Sequence, residues 1–110
     1  MTTFTTPSQQ IVDVVTTWEG VTTHWGDRGE LSFRVGRREI GHLHGDHAAH
    51  FLFSRALASE LRAAGRVGPH PIFPEHPKLA ARPIRNAIDV ADVIELLRLN
   101  HEQLLARAAA

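Results

Sequence analysis

The stretch from Leu31 to His44 constrains the fold most. Leu31-Ser32-Phe33-Arg34-Val35 alternates apolar and polar residues, the period of a strand with one buried face. Gly36-Arg37 or Arg37-Arg38 supplies a two-residue turn, and a second strand returns from Glu39 to His44. Glycine in the first position of such a turn suits type II′. A lone hairpin is marginal in water, so further strands or helices must cover its apolar face. Its register also decides where the polar side chains go. With either two-residue turn, Ile40, His42 and His44 share the face of Leu31, Phe33 and Val35. Gly36-Arg37 in addition sets Phe33 opposite Ile40 and, on the other face, Arg34 opposite Glu39. A three-residue loop with a bulge would turn Leu43 inward and both histidines outward. The even, two-residue loop is the expectation, because it buries Ile40 and pairs Arg34 with Glu39.

The other elements follow from periodicity and punctuation. Ser8 to Thr17 carries Ile11, Val12, Val14 and Val15 and reads as a short amphipathic helix with Ser8 as N-cap. Val21 to Trp25 reads as a strand, and Gly26-Asp27-Arg28-Gly29 as a turn. Ser54 to Ala64 reads as a helix capped by Ser54, with Leu57, Ala58 and Leu61 on one face and Gly65 ending it. Gly68 to Pro77 is Pro-rich irregular chain. Leu79 to Arg85 reads as a strand that Pro83 shortens or confines to an edge. Asp89 and Asp92 resemble a capping box opening the last helix, whose Val90, Val93, Ile94, Leu97, His101 and Leu104 share a face. The order α-β-β-β-α-β-α predicts one small α+β domain over residues 1–110. Its sheet is mainly antiparallel, three consecutive strands plus one, with helices packed on one face. The ends, 1–7 and 106–110, are expected to fray.

Composition excludes several function classes. Lys plus Arg and Asp plus Glu number twelve each, so the formal net charge is zero with His neutral. That balance argues against nucleic acid or an anionic membrane surface as partner. There is no cysteine, which removes disulfides and thiolate chemistry. No apolar run is long enough for a membrane span. Met1 to Pro7 lacks the basic and apolar regions of a signal peptide, so a cytoplasmic protein is expected.

Chemistry concentrates in Glu39 to His50. His42, His44, His47 and His50 lie within nine residues, half of the chain's eight histidines, with Asp46 among them. Imidazole titrates near neutral pH and is the commonest metal ligand. His42-Leu43-His44-Gly45-Asp46-His47 has the literal form of the metallo-β-lactamase signature. Those hydrolases also need a two-sheet sandwich and further ligands far downstream. Here the chain after His47 reads as one strand and two helices, so that reading is set aside. The H-x-H of cupin barrels is set aside too, because the next glutamate is Glu60, inside a helix.

Three readings remain. Zinc or iron would take His42 and His44 plus a third ligand from Asp46, His50 or His70. A metal-free cluster would take and return protons, with Asp46 orienting an imidazole; Glu39 would lie on the face opposite His42. In the third reading, His42 and His44 merely pack at the core's edge. His47 and His76 read as solvated, and His101 as a packing residue at a helix edge. A non-catalytic binding or assembly module, monomeric or dimeric, would instead expose Trp25, Phe51 or Phe73.

A family resemblance rests on an ordered set of landmarks. They are Trp18-Glu19-Gly20-Val21, the run Glu30 to Gly45 containing Arg38-Glu39-Ile40-Gly41-His42-Leu43-His44, and Ala64-Gly65-Arg66. Pro69-His70-Pro71, Ile84-Arg85, Asp89-Val90 and Ile94 to Arg98 follow. Over roughly residues 10 to 104 the chain resembles the luciferase-domain family, which holds the fungal luciferase and many small bacterial proteins of unknown function. The family's polar pattern maps onto His42, His44, Asp46, His50 and His70. Ala48-Ala49-His50-Phe51-Leu52-Phe53 departs from it, since an acidic residue before an apolar-proline run is usual there.

The resemblance implies oxidation of a small hydroxylated aromatic or enol by O2, as the fungal enzyme oxidises a hydroxylated pyrone, with no flavin or nicotinamide. His42 and His44 would be the base and its partner, Asp46 would orient one of them, and His70 would close the pocket from the Pro-rich loop.

Overall fold

The computed structural model describes residues 5–109; of the ends expected to fray, 1–7 and 106–110, residues 1–4 and 110 lie outside the described residues, while Pro7 and residues 106–109 are helical. The first helix, α1 (Pro7–Val15), starts with Pro at its first position, where no amide hydrogen is needed. Its N-cap is Thr6, whose side chain accepts from Gln9 N, and not Ser8 as predicted. Ser8 lies inside the first turn, and its amide donates to the Asp46 carboxylate at 2.9 Å.

Strands β1 (Val21–Trp25), β2 (Leu31–Val35) and β3 (Arg38–His44) occupy the predicted segments. A fourth strand, β4 (Ala48–Leu52), follows a tight turn at Gly45-Asp46-His47. Its Ala-Ala-His-Phe-Leu sequence does not alternate, which hid it from a periodicity reading. Helix α2 (Arg55–Ala63) is capped by Ser54 and ends before Gly65, as expected. The Pro-rich segment contributes a two-residue strand, β5 (Gly68–Pro69). Strand β6 (Leu79–Pro83) stops at the proline.

The last helix, α3, spans Ala87–Ala109. Asn86 caps it by accepting from Asp89 N at 2.9 Å. Asp89 is therefore not the cap. Its carboxylate instead takes Arg82 at 2.9 Å and Arg85 at 3.0 Å, tying β6 to α3.

All six strands form one antiparallel sheet in the order β1-β2-β3-β4-β6-β5. Helices α1 and α3 lie together on one face. Ile11 and Val15 from α1, and Val93, Leu96 and Leu97 from α3, pack with Phe33, Ile40, Leu43, Ala49 and Phe51 of the sheet. Leu57, Ala58 and Leu61 of α2 join the same cluster. Burying such side chains stabilises by roughly 1.5–3 kcal/mol each before conformational entropy is subtracted. Phe51 is fully inside this core, so it is no part of an exposed patch; Trp25 and Phe73 are exposed. Among the described residues, no helix is long and apolar enough to cross a membrane.

The hairpin register departs from the sequence expectation in one respect that moves the whole site. The turn is Gly36-Arg37, with Val35 opposite Arg38 and Arg34 opposite Glu39, as expected. Immediately afterwards the register slips, so that Phe33 faces Gly41 and Ile40 is left over as a β-bulge. Ile40 stays buried, but every later residue of β3 changes side. Leu43 turns to the core beside Leu31, and His42 and His44 turn to the open face. A uniform ladder puts them on the apolar face; the extra residue reverses that. Asn100 of α3 fastens the bulge, its side-chain amide donating to Ile40 O and Leu52 O at 2.9 Å each.

Candidate functional site

The open face of the sheet carries a row of cross-strand neighbours: His24, Ser32, His42, His50, Ala81 and Gly68. His42 and His50 are direct partners across β3 and β4, which holds their side chains close. His44, two residues beyond His42 on the same strand, points to the same side. Its own partner is Ala48, so it lies diagonal to His50. His70 enters from just past β5, next to this row. Backbone pairing thus brings three imidazoles together, and the segment after β5 adds His70.

Their contacts form a chain. Glu39 Oε2 lies 2.9 Å from His42 Nδ1. His42 Nε2 lies 3.1 Å from His44 Nε2, and His44 Nε2 lies 3.1 Å from His50 Nδ1. The rings of His50 and His70 follow at 4.6 Å between centroids. One nitrogen from each of His42, His44 and His50 lies within 4.8 Å of one from both others, close enough for a shared ion. Glu39 reaches His42 because the bulge brings both to the same face, against the expectation that placed them on opposite faces.

His70 is fixed differently. Its Nδ1 accepts from the amides of Ile72 and Phe73 at 3.1 and 3.2 Å. An imidazole nitrogen that accepts carries no proton, so the neutral ring holds its hydrogen on Nε2. His50 and His70 are each only 9% exposed. Burial, reinforced by the charges that His44, His42 and His70 would carry, pushes the His50 pKa down to about 4. Burial also lowers His44 and His70, with His42 adding to the effect in both. These three rings are neutral at neutral pH.

The histidines floor a cleft of about 410 Å³, within the size range of small-molecule sites. Arg28 and Arg34 line it from the β1–β2 side, and Ile72 and Phe73 from the Pro-rich loop. Phe73 lies 5.5 Å from the His70 ring, centroid to centroid, and is 56% exposed, so an apolar wall is available to a planar molecule.

Of the residues singled out from sequence, His42, His44, His50 and His70 converge. Asp46 does not line the cleft; it accepts from Ser8 N, and hydrogen bonding from the Ser8 side chain, then its backbone, lowers its pKa. His47 and His76 are exposed, and His101 packs on Trp18 while its Nε2 contacts Glu19 O. The sequence reading gave no site role to Arg28, Arg34 or Ile72, and named Phe73 only as part of an apolar binding patch. The Ile72-Phe73 pair inside an otherwise polar, Pro-rich loop was the one available signal.

Chemically, neutral imidazoles backed by a carboxylate can accept a proton, and two arginines can hold the anion that results. A family model described as the Luciferase domain matches residues 37–100, from the turn before β3 into α3. No curated protein and no solved structure matches the chain.

Proposed function

Since the chain belongs to the luciferase-domain family, we propose that its histidine cleft binds a small hydroxylated aromatic or enolic molecule and removes the hydroxyl proton, readying it for oxidation by O2 without an organic cofactor. The observation that carries this reading is the run Glu39, His42, His44, His50 along the cleft floor, in which burial lowers the pKa of His44 and His50. A ligand hydroxyl on His44 or His50 would meet a base and not an imidazolium. The phenolate or enolate formed would be held by Arg28 and Arg34, while Ile72 and Phe73 cover its ring. His70, hydrogen on Nε2, donates to a ligand oxygen and does not compete for its proton. Such an anion is electron-rich and reacts with O2 as second substrate.

Calorimetry with a hydroxylated pyrone, with catechol and with their O-methyl ethers tests this. The hydroxyl forms are expected to bind, and the ethers at least about tenfold more weakly, the range of one lost charge-assisted hydrogen bond. His44→Ala is expected to abolish the difference. Equal affinity for hydroxyl and ether, or binding unaffected by His44→Ala, would sink the proposal. Oxygen uptake by an electrode then separates oxidation from binding alone.

A further inference from the structure

We infer that His42 Nε2, His44 Nε2 and His50 Nδ1 form a three-histidine centre for a divalent first-row cation, with Glu39 as the carboxylate that fixes His42. The inference rests on the cleft reading only for what fills the cation's open position; with a cation bound, the lone pairs of His44 Nε2 and His50 Nδ1 would be taken, and the cation, in place of a free imidazole, would hold the ligand oxygen.

The first argument is a count of lone pairs. An imidazole nitrogen has one in-plane position, filled by a proton or by a lone pair. His44 Nε2 faces two nitrogens at 3.1 Å, one from His42 and one from His50. If it carries a proton, that proton serves one neighbour and leaves the other unmet. If it carries a lone pair, it meets the lone pair that neutral His42 turns toward it, and that contact holds no proton. His42 is restricted further: its Nδ1 faces a carboxylate, which only accepts, so Nδ1 holds the proton and neutral His42 offers a lone pair at Nε2. With all three rings neutral, no placement of protons gives both nitrogen–nitrogen contacts a full hydrogen bond. One cation among three lone pairs satisfies them together.

The second argument is metric. Nitrogens 2.0–2.1 Å from a tetrahedral ion stand about 3.3 Å apart. The two short edges here are each 3.1 Å, and all three residues offer nitrogens within 4.8 Å. The third is the support behind the ligand: a metal-binding histidine usually gives its other N–H to a carboxylate, which Glu39 supplies at 2.9 Å. His70 is excluded as a ligand because two backbone amides already occupy its Nδ1 lone pair, and Nε2 carries the hydrogen. Three protein ligands on an open cleft leave the fourth position to water or to a ligand oxygen, the pattern of a catalytic rather than a structural site. Imidazole donors suit zinc, iron, nickel and copper. Asp46 and His47, which complete the literal H-x-H-x-D-H string, take no part.

The test uses full-length chain purified without a histidine tag and stripped by chelation. Zn2+ is titrated by calorimetry and Co2+ by visible absorption. One equivalent per chain is expected, with the strong absorption of tetrahedral Co2+, in the wild type and in His47→Ala. His44→Ala and His50→Ala, shown by circular dichroism to be folded, are expected to lose it, and Glu39→Gln to bind roughly tenfold more weakly. No saturable uptake by the wild type, or uptake that His44→Ala and His50→Ala leave unchanged, overturns the inference. Catechol is then added to stripped and Co2+-loaded protein. Catechol binding without any metal uptake overturns the centre and leaves the proposed function standing. A Co2+ spectrum that catechol does not alter keeps the centre and removes the proposed ligand.

Discussion

At the scale of single residues, the site is a matter of which nitrogen carries a proton. The His50 pKa is lowered from 6.5 to about 4 by burial first, then by His44, His42 and His70, with Glu39 opposing. An unfolded chain therefore binds a proton at His50 more readily than the folded chain does. Stability contributed by this group is fully present above pH 6.5, the unfolded value, and is lost as the pH falls toward 4. His44 and His70 shift in the same direction. Discounted for the open cleft, His50 alone should account for about 1–3 kcal/mol. Metal-free protein is expected to unfold at lower denaturant concentration at pH 4.5 than at pH 7.5, and His50→Leu to flatten that dependence. Equal midpoints at the two pH values would contradict the buried, neutral ring.

Four of the five predicted site residues meet, and the reason Asp46 does not is also local. In sequence it sits among histidines, but it occupies the turn after β3, where the start of α1 comes within reach. A carboxylate near exposed helix amides is drawn to them. That attraction depends on a segment 38 residues away, which no reading of the neighbourhood of Asp46 contains.

At the scale of elements, the decisive feature is the bulge at Ile40. The strands, the turn at Gly36-Arg37 and the pair Arg34–Glu39 were all legible, because alternation, turn chemistry and charge pairing act between near neighbours. The slip after Arg34 was not, because its causes lie in α3 and β4. Gly41 sits against Leu97, His50 and Phe51: an added Cβ would come within 2.6 Å of Leu97 Cδ2, 3.1 Å of His50 O and 3.2 Å of Phe51 Cδ1. Asn100 holds the carbonyls on either side of that approach. Gly41→Ala should therefore push β3 away from α3 and destabilise by about 1–3 kcal/mol, read as a lower Tm. Because the same residue sets which side His42 takes, the variant should also lose ligand or metal binding before it loses fold. An unchanged Tm with unchanged binding would refute this account of the bulge. β4 escaped sequence detection for a different reason. Ala49 and Phe51 face the core, but on the other face Ala48 and Leu52 are apolar although Leu52 is exposed, so its sequence does not alternate.

At the scale of the whole molecule, the sheet separates two tasks. One face is covered by α1 and α3 and holds the fold; the other is left to the histidines. The family match begins at residue 37 and ends at residue 100. It contains all four converging histidines, yet not β1, β2 or the arginines at positions 28 and 34. The histidine floor thus belongs to the matched segment, whereas one wall of the cleft comes from outside it. On the proposed function, ligand preference would be set by Arg28 and Arg34 on one side and by Ile72 and Phe73 on the other. The most direct test is a nitrogen-15 NMR titration of histidine-labelled protein with a hydroxylated pyrone. The ring signals of His42, His44, His50 and His70 are expected to shift together and saturably, while those of His24, His47 and His76 stay in place. Shifts confined to the exposed histidines, or no saturable shift in the four, would contradict the claim that this cleft is the functional site.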